Sequence, residues 1–156
     1  MKALIITYSK FGHTKMLGQT IADTIAECLN ADGNAQSISM DEIDIATLAD
    51  ADLVIMGSPT HRMNLPEDVR VKLRTLPRKS LRGKKMAAFD TSYKMSGWLN
   101  LLTASKKISR KLKKLGAKRV VPPETFHVME SKGPLYDGEI ERAQEWARLV
   151  GEKSEA

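Results

Sequence analysis

The opening of the chain constrains the fold more than any other part of it. An apolar run, Ala3 to Thr7, is followed by the polar segment Ser9 to Thr14 and then by an amphipathic stretch. This order predicts a buried strand, a tight loop and a helix, with Gly12 allowing backbone conformations that a Cβ hinders. The hydroxyls of Ser9 and Thr14 and the first N–H groups of the helix would face one small volume, which suits a terminal phosphate. An ordinary strand-to-helix turn with a polar cap is the open alternative.

Composition sets the class of protein. With 156 residues, 42% of them hydrophobic, the chain can bury a sizeable core. We expect one domain over residues 1–151 and a frayed tail over 152–156. The single cysteine, Cys28, excludes an internal disulfide and a cysteine-rich metal cluster, which suits a reducing cytosol. No apolar run approaches the roughly 20 residues that span a bilayer, and the first residues do not form a signal peptide. We therefore expect a cytoplasmic protein with no membrane partner.

Apolar runs alternate with segments of helical period, which is typical of an α/β protein with a parallel sheet and crossover helices. The predicted strands are Lys2 to Thr7, Ala35 to Ser39, Leu53 to Gly57, Lys84 to Phe89, and one within Arg119 to Met129. The predicted helices are His13 to Leu29, Asp41 to Asp50, Pro66 to Leu76, Trp98 to Leu115, and Asp137 to Val150. Pro122 and Pro123 interrupt the last strand, which indicates an edge position.

Three polar loops follow the first, third and fourth predicted strands. They are Ser9 to Thr14, Ser58 to Pro66, and Asp90 to Gly97. In an open parallel sheet, ligands bind outside the carboxyl ends of the strands, at the point where the strand order reverses. Three loops that converge on one edge of the sheet therefore favour the phosphate pocket over the ordinary turn.

These residues resemble the flavodoxin family over essentially the whole chain. The family's phosphate loop follows a hydrophobic strand and has Ser or Thr, two residues, Gly, one residue and Thr, which Ser9, Gly12 and Thr14 match. Gly57 to Thr60 is similar to the family's second loop, and Asp90 to Gly97 occupies the place of its third. The resemblance implies a three-layer, doubly wound, five-stranded parallel sheet of order 2-1-3-4-5 that binds FMN at its switch point. The length implies the short-chain form.

The resemblance also implies which residues hold the cofactor. The implied FMN contacts are Ser9, Lys10, Phe11, Gly12, His13 and Thr14 in the first loop, Ser58, Pro59, Thr60, His61, Arg62, Met63 and Asn64 in the second, and Asp90, Thr91, Ser92, Tyr93 and Gly97 in the third. Tyr93 is expected against the flavin ring. No catalytic residue and no metal ligand is expected, because the three histidines lack metal-binding spacing.

The chain departs from the family pattern at several positions. Thr7 stands where the pattern has an aromatic residue, and Gly18 where it has alanine. The second loop has no Trp or Tyr between Pro59 and Pro66, although flavodoxins commonly hold the ring between aromatics of the second and third loops. A histidine, arginine or methionine at positions 61–63 would then cover the ring face opposite Tyr93.

The charge is distributed unevenly. Residues 62–119 hold 18 of the 25 lysines and arginines and only three acids, Glu67, Asp68 and Asp90, so this segment is +15 while the remainder is −9. Such asymmetry indicates a surface that faces a partner, with a solvated basic face as the alternative. The resemblance implies redox proteins as partners, and the positive sign favours acidic ones. Nucleic acid is not expected, because the basic segment lacks interleaved aromatics and a recognition module.

The resemblance implies an FMN-binding flavodoxin that transfers electrons at low potential between redox partners. We expect a carrier more than an enzyme with its own organic substrate, because the flavin supplies the redox chemistry. One alternative is a flavodoxin-like FMN oxidoreductase, of the quinone reductase or menaquinone-dependent protoporphyrinogen oxidase type. A third possibility is a flavin-free interaction module that uses the basic face.

Overall fold

The structure is a computed structural model that describes residues 1–30, 33–61, 64–94, 102–130 and 133–155. The strands are β1 Lys2–Thr7, β2 Asn34–Ser39, β3 Leu53–Pro59, β4 Lys85–Ser92, β5 Lys118–Arg119 and β6 Glu124–His127. The helices are α1 His13–Cys28, α2 Ile45–Asp50, α3 Glu67–Thr75, α4 Ala104–Lys114 and α5 Glu139–Glu155, with a 3-10 turn at Met40–Glu42 before α2. Strands and helices alternate as the hydrophobic pattern predicts.

All the strands are parallel, in the order β2-β1-β3-β4-β5, and β6 also pairs with β4. β5 and β6 are two pieces of the predicted fifth strand. Pro122 and Pro123 lie between them, and since proline has no N–H to donate, the ladder along β4 breaks at that point. The predicted order 2-1-3-4-5 is confirmed, with the fifth position shared by two short strands.

Helices cover both faces of the sheet, which confirms the three-layer architecture. On one face, α1 and α5 pack on β-strand side chains that include Ile5, Ile55 and Phe89. On the other face, α2, α3 and α4 pack on the alternate side chains of the same strands, such as Ile6 and Met56. Because the central strands are buried on both faces, they read as continuous apolar runs.

Several element boundaries differ from the predictions, most of all in β4, α4 and α5. β4 continues past Phe89 to Ser92, because its last residues pair with β6. α4 is helical from Ala104, and the predicted start at Trp98 lies outside the described residues. α5 continues to Glu155, so residues 152–155 of the expected tail form the last turn of the helix. Ser154 in that turn is buried, and its carbonyl accepts a hydrogen bond from the Lys85 ammonium of β4.

Candidate functional site

A cleft of about 780 Å³ opens at the carboxyl ends of β1, β3 and β4. Its volume is in the range of small-molecule and cofactor sites. All three predicted loops contribute to it. The lining residues are Tyr8, Ser9, Lys10, Phe11, His13, Thr14, Pro59, Thr60, His61, Pro66, Glu67, Asp68, Thr91, Ser92, Tyr93 and Val128.

The first loop turns directly into α1. Gly12 is the residue before the helix and has a φ of 94°, a left-handed conformation that favours glycine. Its N–H donates to the Ser9 hydroxyl at 2.9 Å, which closes the loop. The first N–H groups of α1, including those of Thr14 and Lys15, have no acceptor within the helix. Together with the helix dipole, they make this end of the cleft attractive to an anion.

Thr14 ties the first loop to the third. It is 2% exposed, and its hydroxyl is 3.0 Å from that of Thr91 at the end of β4. Hydroxyls and N–H groups are the donor set that a phosphate ester requires, and the segment Ser9 to Thr14 contains no carboxylate that would repel one. The residues present therefore fit a terminal phosphate at this end, which we call the phosphate end.

His13 lies against the loop before α5. A Cβ placed on Gly133 would lie 2.1 Å from Nε2 of His13, so a larger residue there would require the imidazole to move. Lys10 lies 5.6 Å from the centre of the Phe11 ring and, like Phe11, is exposed at the rim. Both basic residues of the loop are thus at the phosphate end.

The opposite part of the cleft, which we call the ring end, is formed by the second and third loops. Pro59, Thr60 and His61 come from the second, and Tyr93, which is 47% exposed, from the third. Of the predicted contacts, Arg62, Met63 and Gly97 lie outside the described residues.

Comparison with known proteins identifies the family. The flavodoxin family model matches residues 5–146. The chain belongs to the flavodoxin family. FMN is the cofactor of that family, and electron transport is its function. No match is found among curated proteins. The described helices include none that is long and apolar enough to cross a membrane.

Solved structures share the fold at low identity. A flavodoxin from the domain Archaea has a TM-score of 0.78 at 21% identity, over 100% of both chains. Flavodoxin 2 from Bacillus cereus has a TM-score of 0.76 at 24% identity, over 98% of this chain and 99% of that one. The rubredoxin oxygen:oxidoreductase of Desulfovibrio gigas matches with a TM-score of 0.74 at 19% identity, over 99% of this chain but 36% of that one.

Three other predicted contacts, Gly12, Ser58 and Asn64, are not among the residues that line the cleft. The Ser58 side chain is buried, and its hydroxyl donates to the Pro59 carbonyl at 2.9 Å. Asn64 makes two backbone hydrogen bonds with His61, of 2.7 and 3.0 Å. Its side-chain oxygen accepts from the Leu65 N–H and from the Lys107 ammonium, each at 2.8 Å. Asn64 therefore joins the second loop to α4.

Asp90 also lies behind the cleft. It is fully buried, and its Oδ2 accepts from the Ser105 N–H at 2.7 Å and from the Thr60 hydroxyl at 3.2 Å. The Thr60 hydroxyl in turn accepts from the Ala104 N–H at 2.9 Å. Asp90 and Thr60 thus satisfy the first N–H groups of α4, where the cap residue Thr103 makes no side-chain cap bond. Asp90 supports the second and third loops from beneath.

Burial raises the pKa of the Asp90 carboxyl, because an ionised carboxylate loses its hydration there. The hydrogen bond from the Ser105 N–H opposes that shift, as do nearby hydroxyls on Thr125, Ser105 and Thr103. The protonated form is therefore favoured more than in an exposed aspartate.

Sequence reasoning missed Tyr8 and one wall of the cleft, formed by Pro66, Glu67 and Asp68. Tyr8 directly follows β1, lines the cleft, and donates its hydroxyl to Oδ2 of Asp68 at 3.0 Å. Its pKa is raised by burial, then by the hydrogen bond to Asp68 and by that carboxylate's charge. Pro66 and Glu67 line the same wall. Because Tyr8 directly follows a strand at the switch point, its position in the sequence could have indicated a cleft residue. The cleft thus has a second tyrosine besides Tyr93.

Proposed function

We propose that this protein is a low-potential electron carrier that binds one FMN in the cleft and passes electrons between redox partner proteins. The observation that carries the proposal is one cleft that combines a helix start suited to an anion with two tyrosines, Tyr8 and Tyr93. Family membership supports the same cofactor and the same class of activity.

The segment Ser9 to Thr14 would hold the phosphate through hydroxyls and the N–H groups that begin α1. Tyr93 would contact the ring from the third loop. Tyr8 and His61, from the other side of the cleft, are the described candidates for the second contact. FMN, when bound, supplies one- and two-electron chemistry, so the protein has to bind it, orient it and set its potential.

The acidic wall supports a low potential. Glu67 and Asp68 line the cleft at the first turn of α3. Reduction adds negative charge to a flavin, and nearby carboxylates disfavour that addition. A tyrosine phenol is neutral near pH 7, and the raised pKa of Tyr8 moves it further from ionisation, so it does not add a further negative charge.

An open rim supports a protein partner over an enclosed substrate. Phe11 and Tyr93 are each about half exposed where the first and third loops meet solvent. A cofactor with an exposed edge can exchange electrons with another redox centre by direct approach of the two proteins. An enclosed site would be expected for an enzyme that excludes water from its substrate.

Single-turnover kinetics test the proposal. FMN-loaded protein is photoreduced without oxygen and mixed with one equivalent of oxidised haem protein. We expect stoichiometric reduction of the haem and no steady-state consumption of NADPH by the protein alone. Steady turnover of NADPH with menadione, or of protoporphyrinogen, would instead identify an FMN oxidoreductase.

A further inference from the structure

We propose that the surface shared by α3 and α4 beside the second loop is the docking site for an acidic redox protein. We call it the α3–α4 surface and define its cleft-proximal part by Arg70, Lys107 and Arg110. The proposal rests on the electron-carrier function for its biological purpose. Its physical basis is the placement of charge.

The two helices lie side by side on one face of the sheet. Val69 and Leu73 of α3 and Ile108 and Leu112 of α4 bury their side chains in the same core. The opposite sides of both helices are left to solvent. α4 contains six basic residues and no acid, and the two acids of α3 are confined to its first turn at the cleft wall. The cations of both helices therefore lie on the same face of the sheet, toward solvent.

The cations of the two helices are close enough to affect one another. The pKa of the Lys107 ammonium is lowered, first by partial burial and then by the charges of Arg110 and Arg70. Arg70 and Arg110 are exposed, and neither forms a salt bridge with another residue of the described ranges. Like charges held close together repel, and a complementary anionic surface would relieve that repulsion.

The α3–α4 surface is connected to the cofactor cleft. The Lys107 ammonium donates to Oδ1 of Asn64 at 2.8 Å, and Asn64 is bonded through its backbone to His61, which lines the cleft. A partner bound over Arg70 and Arg110 would therefore lie next to the ring end. This is where an electron has the shortest path between two centres.

The charge around this surface also restricts how a partner can approach. Exposed acids lie on the opposite face of the sheet, among them Asp23 and Glu27 of α1 and Glu145 of α5. On the same face, Asp41 and Asp44 flank the start of α2 beside the other edge strand. An acidic protein is thus attracted to the face that carries α3 and α4 more than to the opposite face. The described parts of α3 and α4 contain no aromatic residue, and stacking on such residues is a common element of single-stranded nucleic-acid binding.

Two double charge-reversal variants distinguish a specific docking site from a general effect of positive charge. Arg70→Glu with Arg110→Glu alters the cleft-proximal cations. Arg74→Glu with Lys114→Glu makes the same change in charge on the same helices, four residues or about 6 Å farther along each. All four side chains are exposed, so both variants should fold. FMN affinity, measured first, should equal that of the unaltered protein in both.

The probe is oxidised cytochrome b5, a small acidic haem protein, titrated into the oxidised, FMN-loaded protein at low salt by isothermal calorimetry. We expect the Arg70→Glu, Arg110→Glu pair to weaken binding at least ~10-fold and the control pair less than ~3-fold. Added salt should weaken binding of the unaltered protein. Cytochrome c, a basic haem protein, should show no preference for the α3–α4 surface.

Equal losses in the two variants, or binding that is indifferent to salt, would overturn the docking site. Tighter retention of a DNA duplex than of cytochrome b5, abolished by the proximal pair, would overturn it in favour of nucleic acid. Binding and electron transfer are separate readouts. If cytochrome b5 binds as expected but reduced FMN-loaded protein does not reduce it, the docking surface stands and the carrier function fails.

Discussion

The phosphate end and the ring end of the cleft are built in different ways. The phosphate end is one continuous segment, in which β1, the first loop and α1 follow each other along the chain. The ring end is assembled from residues far apart in sequence, such as Thr60, Asp90 and Ser105, joined by hydrogen bonds. The first depends on local sequence and the second on tertiary contacts. Changes at the two ends should therefore affect different properties.

The largest expected effect distinguishes the contribution of the phosphate to FMN affinity from that of the ring. FMN should bind at least ~100-fold more tightly than riboflavin, because hydrogen bonds to a charged group are worth about 1.5–3 kcal/mol each. Ser9→Ala and Thr14→Val should reduce that ratio by weakening FMN alone. Tyr93→Ala should weaken both flavins to the same degree. Quenching of flavin fluorescence measures the affinity of each protein for both flavins, and equal losses for both ligands in Thr14→Val would place the phosphate elsewhere.

The ring end should depend on Asp90. Asp90→Ala leaves the buried Ser105 N–H and the Thr60 hydroxyl without their acceptor, so we expect a loss of about 2–3 kcal/mol in the free energy of unfolding. Asp90→Asn keeps an acceptor oxygen and should lose less. Urea unfolding measures both. A loss below ~1 kcal/mol in Asp90→Ala would show that α4 does not need this cap.

Asp90 should also make the stability of the folded protein depend on pH, in a direction that its raised pKa determines. The pKa of Asp90 in the folded protein is raised above the ordinary value of 3.8. As pH rises from about 4, the unfolded chain therefore releases this proton first, and the folded state loses stability until its own pKa is passed. The Asn variant lacks this loss. Its stability relative to the unaltered protein should improve between about pH 4 and pH 7, and an unchanged difference would contradict the raised pKa.

A smaller effect concerns packing behind the phosphate end. A Cβ on Gly18 would lie 2.5 Å from Cγ2 of Thr7, so the two departures from the flavodoxin pattern meet in one contact. Gly18→Ala should destabilise by about 1–2 kcal/mol, although alanine is the better helix former. Thr7→Ser removes the methyl group and should restore stability when combined with it. The double-mutant cycle gives the coupling energy, and additive effects would show that the methyl is not the obstacle.

The difference between local sequence signals and tertiary contacts decides which features could be predicted from the sequence. The sheet, its order and the phosphate loop were predicted from apolar runs and from Ser9, Gly12 and Thr14, because those signals are local. The supporting role of Asp90 and the Lys107 bond to Asn64 were not, since each joins residues more than a dozen positions apart. The hydrogen bond from Tyr8 to Asp68 was not predicted either, because the two residues lie 60 positions apart.

The smallest expected effect is at Tyr8. Tyr8→Phe keeps the ring in the cleft and removes the hydrogen bond to the Asp68 carboxylate. That carboxylate is exposed to solvent. We expect a change of about 0.5 kcal/mol or less in the free energy of unfolding, because the exposed carboxylate regains water. FMN affinity should fall only slightly. Tyr8→Ala should weaken FMN several times more, if the ring is what contacts the cofactor. Similar affinities for the two variants would exclude Tyr8 as a ring contact.

Titration of the cofactor-free protein with FMN tests whether the cleft binds the cofactor through its phosphate. We expect saturable quenching of flavin fluorescence at one FMN per chain, a shifted visible spectrum, and binding that is much weaker for riboflavin. The same titration should show a loss of affinity in Thr14→Val. Absence of saturable FMN binding by the folded chain would contradict the account.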